Sequence, residues 1–91
     1  MCDALLSHAP GELTFAINQG RLAGGVAVSD AEVLFAIRFA FMHLKLVLEP
    51  GGAVALAAIL AGKPALAGRT VGIVLSGGNV DASVFARALA A

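Results

Sequence analysis

The stretch RTVGIVLSGGNVD, residues 69 to 81, decides the predicted fold. Its first part, Arg69 to Leu75, is rich in β-branched side chains and almost wholly apolar, a pattern typical of a strand buried on both faces of a parallel sheet. The polar turn SGGN follows, and Asp81 is then a plausible N-cap for a helix over residues 82–90. A strand, a glycine-hinged turn and a helix in this order favour an α/β architecture.

The rest of the chain predicts one more strand and three more helical segments. Ser29 and Glu32 have the spacing of a capping box, which predicts a helix from there to about Leu48. Pro50 is expected to stop this helix, and the two glycines after it are expected to turn the chain. The other predicted elements are a short helix or irregular segment at 13–23, a short strand at 26–28 and an alanine-rich helix at 53–61.

The composition predicts a chain that packs against other protein. Ninety-one residues allow one domain or a piece of one, and 59% of them are hydrophobic while 13% are charged. A membrane span is not expected, because the apolar runs are short or interrupted by charge. No basic cluster suggests a nucleic-acid partner. The absence of a signal-peptide pattern and the single cysteine, Cys2, favour a cytoplasmic location.

Two turns are the candidates for chemistry. In SGGN, a hydroxyl, an amide and two glycines stand where a strand meets a helix N-terminus, the place where open α/β sheets gather ligands. An ordinary strand-to-helix turn would have the same residues. In LEPGGA, residues 48–53, Glu49 is predicted to end a helix, where a carboxylate is unfavourable and is therefore a mild hint of function, although spacing alone favours an exposed or ion-paired glutamate. His8 and His43 have no metal-ligand spacing, so no metal site is predicted.

Four stretches, in order, resemble the pyridoxal-phosphate-dependent threonine and serine dehydratases, a lyase family of amino-acid metabolism that includes serine racemase. KLVLEPGGAVALAAIL (45–60) is similar to the family's K-L-V-x-E-P-S-G-A and the alanine-rich helix after it, and GRTVGIVLSGGNVD (68–81) to its strand ending S-G-G-N-x-D. CDALLSHAPGELTF (2–15) and VAVSDAEV (26–33) resemble two further family stretches. The resemblance covers nearly the whole chain.

This resemblance implies a fold and a cofactor. The chain is expected to be an α/β unit, a partial three-layer parallel-sheet structure like the C-terminal part of the large domain in fold type II enzymes. Residues 1–91 would be a single, incomplete piece of that pyridoxal-phosphate-binding domain. The implied reaction is elimination of water from a hydroxy amino acid, which gives a 2-oxo acid and ammonia.

The resemblance also implies roles for five residues. Ser76 should contact the pyridine nitrogen of the cofactor, and Gly77 and Gly78 should let the backbone lie beside the ring. Glu49 should line the cofactor pocket, and Asn79 should steady the turn. A neutral hydroxyl cannot hold the ring nitrogen protonated as an aspartate would, so the ring is a weaker electron sink, which suits elimination of water.

Departures from the family pattern bear on activity. The family's Schiff-base lysine, in S-F-K-x-R-G, and its glycine-rich phosphate loop have no counterpart, and neither Lys45 nor Lys63 has the lysine's context. Gly51 stands where the family commonly has serine, and Ala4 where it has glycine. The chain alone is therefore expected to hold no catalytic residue and to be inactive.

Two further hypotheses stay open at this point. The chain could be a non-enzymatic docking or regulatory partner of a full-length dehydratase, or a small membrane-associated protein, although the predicted strand at 69–75 argues against the latter. In every case the apolar helix faces predict self-association, or packing on the part of the domain that the sequence lacks.

Overall fold

Four α-helices and two shorter helical segments make up the structure, a computed structural model that describes residues 1 to 91. The elements in chain order are a 3₁₀ turn (Asp3–Leu5), α1 (Glu12–Asn18), α2 (Asp30–Phe39), a π-helical turn (Ala40–Leu44), α3 (Pro50–Leu60) and α4 (Ala82–Ala90). None of these helices has both the length and the apolar character that a membrane crossing requires.

The start of α2 is the capping box that the sequence predicts. The Glu32 N–H donates to the Ser29 hydroxyl at 3.2 Å, and the Ser29 N–H donates to the Glu32 carboxylate at 2.7 Å. Two of the helix's first free N–H groups are thereby satisfied. Lys63 joins the same group, because its ammonium lies 2.9 Å from the Glu32 carboxylate and donates to the Ala27 carbonyl at 2.6 Å.

The end of α2 differs from the prediction of a helix to about Leu48. The α-helix ends at Phe39, continues as the π-helical turn, and stops at Lys45, whose φ of 58° is left-handed. The N–H groups of Lys45 and Leu46 both donate to the Ala40 carbonyl, which satisfies the last turn. Apolar periodicity continues past Leu44 and conceals this stop, because side-chain spacing does not report a change from α to π winding.

Pro50 begins a helix and does not end one. It occupies the first position of α3, where its missing N–H costs no hydrogen bond and its fixed φ suits the helix. The prediction of a turn at the two following glycines was therefore wrong, since both lie inside the first turn of α3. The last helix is confirmed at Ala82–Ala90 with Asp81 at the N-cap, although the Asp81 side chain makes no capping hydrogen bond.

The core lies where α2 meets α3 and α4. Many of its members are alanines, which let the helices approach closely. The buried residues of this cluster are Val33, Leu34, Ala36, Ile37, Ala40, Leu48, Ala53, Leu56, Ala57 and Ala88. Phe41 and Phe85 pack edge to face with ring centroids 5.4 Å apart, and the Arg38 guanidinium donates to the Ala91 carbonyl, so both ends of α4 are tied to the α2 region.

The two predicted strands, residues 26–28 and 69–75, are absent. Neither segment forms a ladder, and Val71, Ile73 and Val74 are exposed, Val74 to 77%. A strand needs a neighbour to accept and donate its backbone hydrogen bonds, and the chain provides none along either segment. The expected partial parallel-sheet unit is therefore not supported, and the described structure is helical.

Candidate functional site

The two turns that the sequence singles out are in contact. The Glu49 N–H donates to the Gly77 carbonyl at 3.2 Å, which links the residue before α3 to the SGGN turn. The two turns lie 28 positions apart in the sequence, and the helix α3 and the loop after it separate them. The fold therefore brings Glu49 next to the SGGN turn, which contains the other four predicted cofactor-binding residues, Ser76 to Asn79.

The glycines of the SGGN turn face protein atoms. Gly77 has a φ of 80°, and a Cβ placed on it would collide with the Glu49 carboxylate. A Cβ on Gly78 would lie 2.8 Å from the Val47 carbonyl oxygen. The space that these two residues leave free is therefore filled by the segment before α3. The expected approach of a ligand ring to Gly77 and Gly78 has to occur on the opposite, exposed side of the turn.

Glu49 is at the beginning of a helix and not, as predicted, at the end of one. It is the N-cap residue of α3, with extended backbone, and its side chain makes no capping hydrogen bond. The positive end of the helix dipole stabilises a carboxylate at this position. The argument that Glu49 is badly placed for stability is thereby overturned, and its half-buried carboxylate next to Gly77 is a favourable arrangement.

Ser76 and Asn79 are exposed, and neither side chain has a hydrogen-bond partner within the chain. Asn79 and Glu49 both line a shallow cavity of about 130 Å³ at the N-termini of α3 and α4. Asp3 and Asp81 line it as well, so its polar groups are mainly carboxylates and an amide. The Ser76 side chain does not line this cavity, so the structure does not gather all five residues around one enclosed volume.

The chain's two lysines make their contacts away from the two turns. The Lys45 ammonium donates to the Met42 carbonyl at 3.0 Å, and Lys63 is held by Glu32 and Ala27. The residues of the two turns include one exposed hydroxyl, that of Ser76, a group able to hydrogen-bond to a ring nitrogen. They offer neither an amine for covalent attachment nor a phosphate cradle. No group of three or more His, Cys, Asp or Glu side chains is arranged to hold a metal ion.

Sequence reasoning missed two contributors to this site, Val47 and Gly52. Gly52 is fully buried, and a Cβ on it would collide with the Ser76 carbonyl oxygen. The signal was in the quoted motif, since its second glycine is the residue that the family pattern E-P-S-G also has. Because Gly52 was predicted to turn the chain, its contact with the Ser76 backbone was not expected.

Comparison with known proteins finds no matching family model, but it finds relatives. Beta-hydroxyaspartate dehydratase of Paracoccus denitrificans is 40% identical over 77% of the chain. L-threo-3-hydroxyaspartate ammonia-lyase of a Pseudomonas species is 39% identical over 98% of it, and L-threonine ammonia-lyase of Thermotoga maritima is 38% identical over 96%. These matches cover 22%, 28% and 21% of the respective relatives, so the chain spans about a quarter of their length.

Proposed function

The chain belongs to the pyridoxal-phosphate-dependent threonine/serine dehydratase family, and we propose that it supplies the C-terminal part of such an enzyme's cofactor domain. In this proposal the complete enzyme eliminates water from a hydroxy amino acid and gives a 2-oxo acid and ammonia. The observation that carries the proposal is the contact between the LEPGG and SGGN turns through the Glu49 N–H and the Gly77 carbonyl. These two turns lie in two of the four stretches that resemble the family, and in this chain they are in contact.

Ser76 is the proposed partner of the pyridine nitrogen. Its exposed hydroxyl is free to donate to, or accept from, a group outside the chain. The bound cofactor supplies an electron sink for the carbanion chemistry that precedes loss of water. A hydroxyl partner would leave the ring nitrogen largely neutral, and the ring would then withdraw electrons less strongly. Glu49 and Gly77 hold the turn that carries Ser76, and the Asn79 amide is proposed to steady it from the next position.

The remainder of the site has to come from residues outside this chain. The two turns contain no lysine and no phosphate cradle, so the chain alone is proposed to be inactive. The names of the relatives, which act on hydroxyaspartate, threonine and phenylserine, support a hydroxy amino acid as the substrate. The free Cys2 thiol is compatible with the proposed cytoplasmic location.

The exposed apolar residues support packing against further polypeptide. Phe35 and Met42 on the α2 side and Val74 in the extended segment are each more than half exposed. Exposed large apolar side chains in this number are typical of a chain that packs against other protein. We propose that the rest of the enzyme covers these side chains, and that the isolated chain self-associates through them.

A chimera tests the proposal. The segment of Thermotoga L-threonine ammonia-lyase that aligns with this chain would be replaced by residues 1–91, and the bound cofactor would be followed by its visible absorption. We expect the chimera to bind pyridoxal phosphate, and Ser76→Ala to change the absorption spectrum and lower turnover at least tenfold. Ser83→Ala, on α4, is the matched control. Equal spectra and turnover for the two variants would refute the role of Ser76.

The isolated chain provides the complementary test. Incubated with pyridoxal phosphate and threonine, it should form no 2-oxobutanoate above background, and sedimentation should show oligomers. Formation of 2-oxobutanoate by the pure chain would overturn the proposal. The same exposed apolar surface also favours the alternative of a docking or regulatory partner. Capture of a full-length dehydratase by the chain, with a change in that enzyme's own turnover, would favour this alternative.

A further inference from the structure

Gly52 packs against the backbone of the SGGN turn. It is the third residue of α3 and is fully buried. A Cβ built on it would overlap the Ser76 carbonyl oxygen, and would lie 2.9 Å from the Ser76 carbonyl carbon and 3.1 Å from the Gly77 carbonyl oxygen. All three neighbours are backbone atoms, so they cannot rotate away as a side chain does. Any side chain at position 52 has to push the turn itself.

Gly51 is an internal comparison. It is also a glycine in the first turn of α3, but the nearest atom to its Cβ position is the Leu5 Cγ at 3.7 Å, an ordinary van der Waals distance. The family commonly has serine at position 51, and the space found here accepts a Cβ. The adjacent position 52 has no such space. Steric exclusion of a side chain therefore applies at Gly52 and not at Gly51.

We propose that Gly52 is a positioning residue that sets where α3 supports the Ser76 backbone, and thereby where the Ser76 hydroxyl stands. The Glu49 N–H bond to the Gly77 carbonyl fixes the next residue of the turn from the same helix start. In this proposal, the two contacts couple the position of the SGGN turn to the position of α3. The part of this inference that concerns the cofactor rests on the proposed function, whereas the packing of Gly52 against Ser76 does not.

Hydrogen–deuterium exchange of the full 91-residue chain tests the packing of Gly52 against Ser76. The method can be applied whether or not the chain self-associates. We expect Gly52→Ala to speed exchange of the peptide covering residues 74–81 and of the Glu49 amide roughly tenfold. Gly51→Ala should leave both within about twofold. Because alanine is the better helix former at both positions, unfolding of the Gly52 variant alone would also support the contact. Equal exchange in the two variants would overturn the proposal.

The chimera tests the positioning role separately. There, Gly52→Ala should alter the absorption of the bound cofactor in the direction of Ser76→Ala, and Gly51→Ala should not. A spectrum that responds to Ser76→Ala but not to Gly52→Ala would overturn the positioning role. A spectrum that ignores Ser76→Ala, together with the predicted exchange difference, would reject the proposed function of Ser76 and leave the packing of Gly52 standing.

Discussion

Substitution of Gly77 by alanine should destabilise the fold in two ways, through backbone strain and through a clash with Glu49. Gly68 allows the backbone strain to be measured separately. Gly77 and Gly68 have nearly the same φ, 80° and 78°. A Cβ on Gly68 meets nothing within 4 Å, whereas a Cβ on Gly77 collides with the Glu49 carboxylate. Gly68→Ala therefore reports backbone strain alone, and Gly77→Ala reports strain together with displacement of Glu49.

The expected magnitudes follow from these contacts. An alanine in the left-handed conformation destabilises the fold by about 1–2 kcal/mol. Alanine also lowers the conformational entropy of the unfolded chain, which stabilises the fold by about 0.4–1 kcal/mol. Gly68→Ala should therefore lower the free energy of unfolding by about 1 kcal/mol. Forcing the Glu49 side chain out of its conformation adds about 1 kcal/mol. Gly77→Ala should therefore cost about 2 kcal/mol, and in a Glu49→Ala background about 1 kcal/mol, because the obstacle is gone.

The assay is urea unfolding followed by far-ultraviolet circular dichroism at one fixed protomer concentration, since self-association makes apparent stability depend on concentration. The difference between the two backgrounds is a coupling energy between positions 49 and 77. If Gly77→Ala costs the same in both backgrounds, to within about 0.3 kcal/mol, the inferred contact of the Glu49 carboxylate with Gly77 is refuted.

Three further predictions concern the ends of α2. Ser29→Ala should lower the free energy of unfolding by about 1 kcal/mol through loss of the N-cap, and Ser83→Ala should cost little, both measured by urea unfolding. The hydrogen bond from the Ser29 N–H, and next the Lys63 ammonium, lower the pKa of the Glu32 carboxyl from its ordinary value of 4.5. A lowered folded pKa gives stability that is present above the unfolded pKa and lost as the pH falls through the folded one. Acid titration below pH 4.5 should thus unfold the wild type more steeply than Glu32→Gln, and identical acid titrations of the two would contradict the lowered pKa. Lys45→Gly should be more stable than Lys45→Ala by about 1 kcal/mol because only glycine adopts a φ of 58° without strain, and an equal midpoint in urea would contradict this.

Local signals in the sequence predicted the helices well. The capping box at Ser29 and Glu32 and the helix at Ala82–Ala90 were found from residues within a few positions of one another. The boundaries between Leu44 and Pro50 were missed, because a proline that begins a helix and a proline that ends one have the same apolar flanks. The start of α3 at Pro50 also changes the meaning of Glu49, from a residue at a helix C-terminus to one at an N-terminus.

The strand prediction failed for a different reason. Residues 69–75 have the composition of a buried strand, but a strand is a property of at least two chain segments, and the described residues give this one no partner. Composition reports what a segment is suited to, whereas the fold depends on which neighbours are present. The family resemblance predicted that Glu49 and the SGGN turn serve one cofactor pocket but did not predict their contact, and the steric role of Gly52 depends on distances that no pattern contains.

The contact between the two turns has a consequence for recombination among related genes. It is made by backbone atoms of Val47, Glu49, Ser76 and Gly77 against glycines, and only the Glu49 carboxylate adds a side chain. A crossover between the codons for residues 53 and 75 would join one turn from each parent. Such a hybrid should still fit together at this contact wherever both parents retain the three glycines, so the two turns are exchangeable separately.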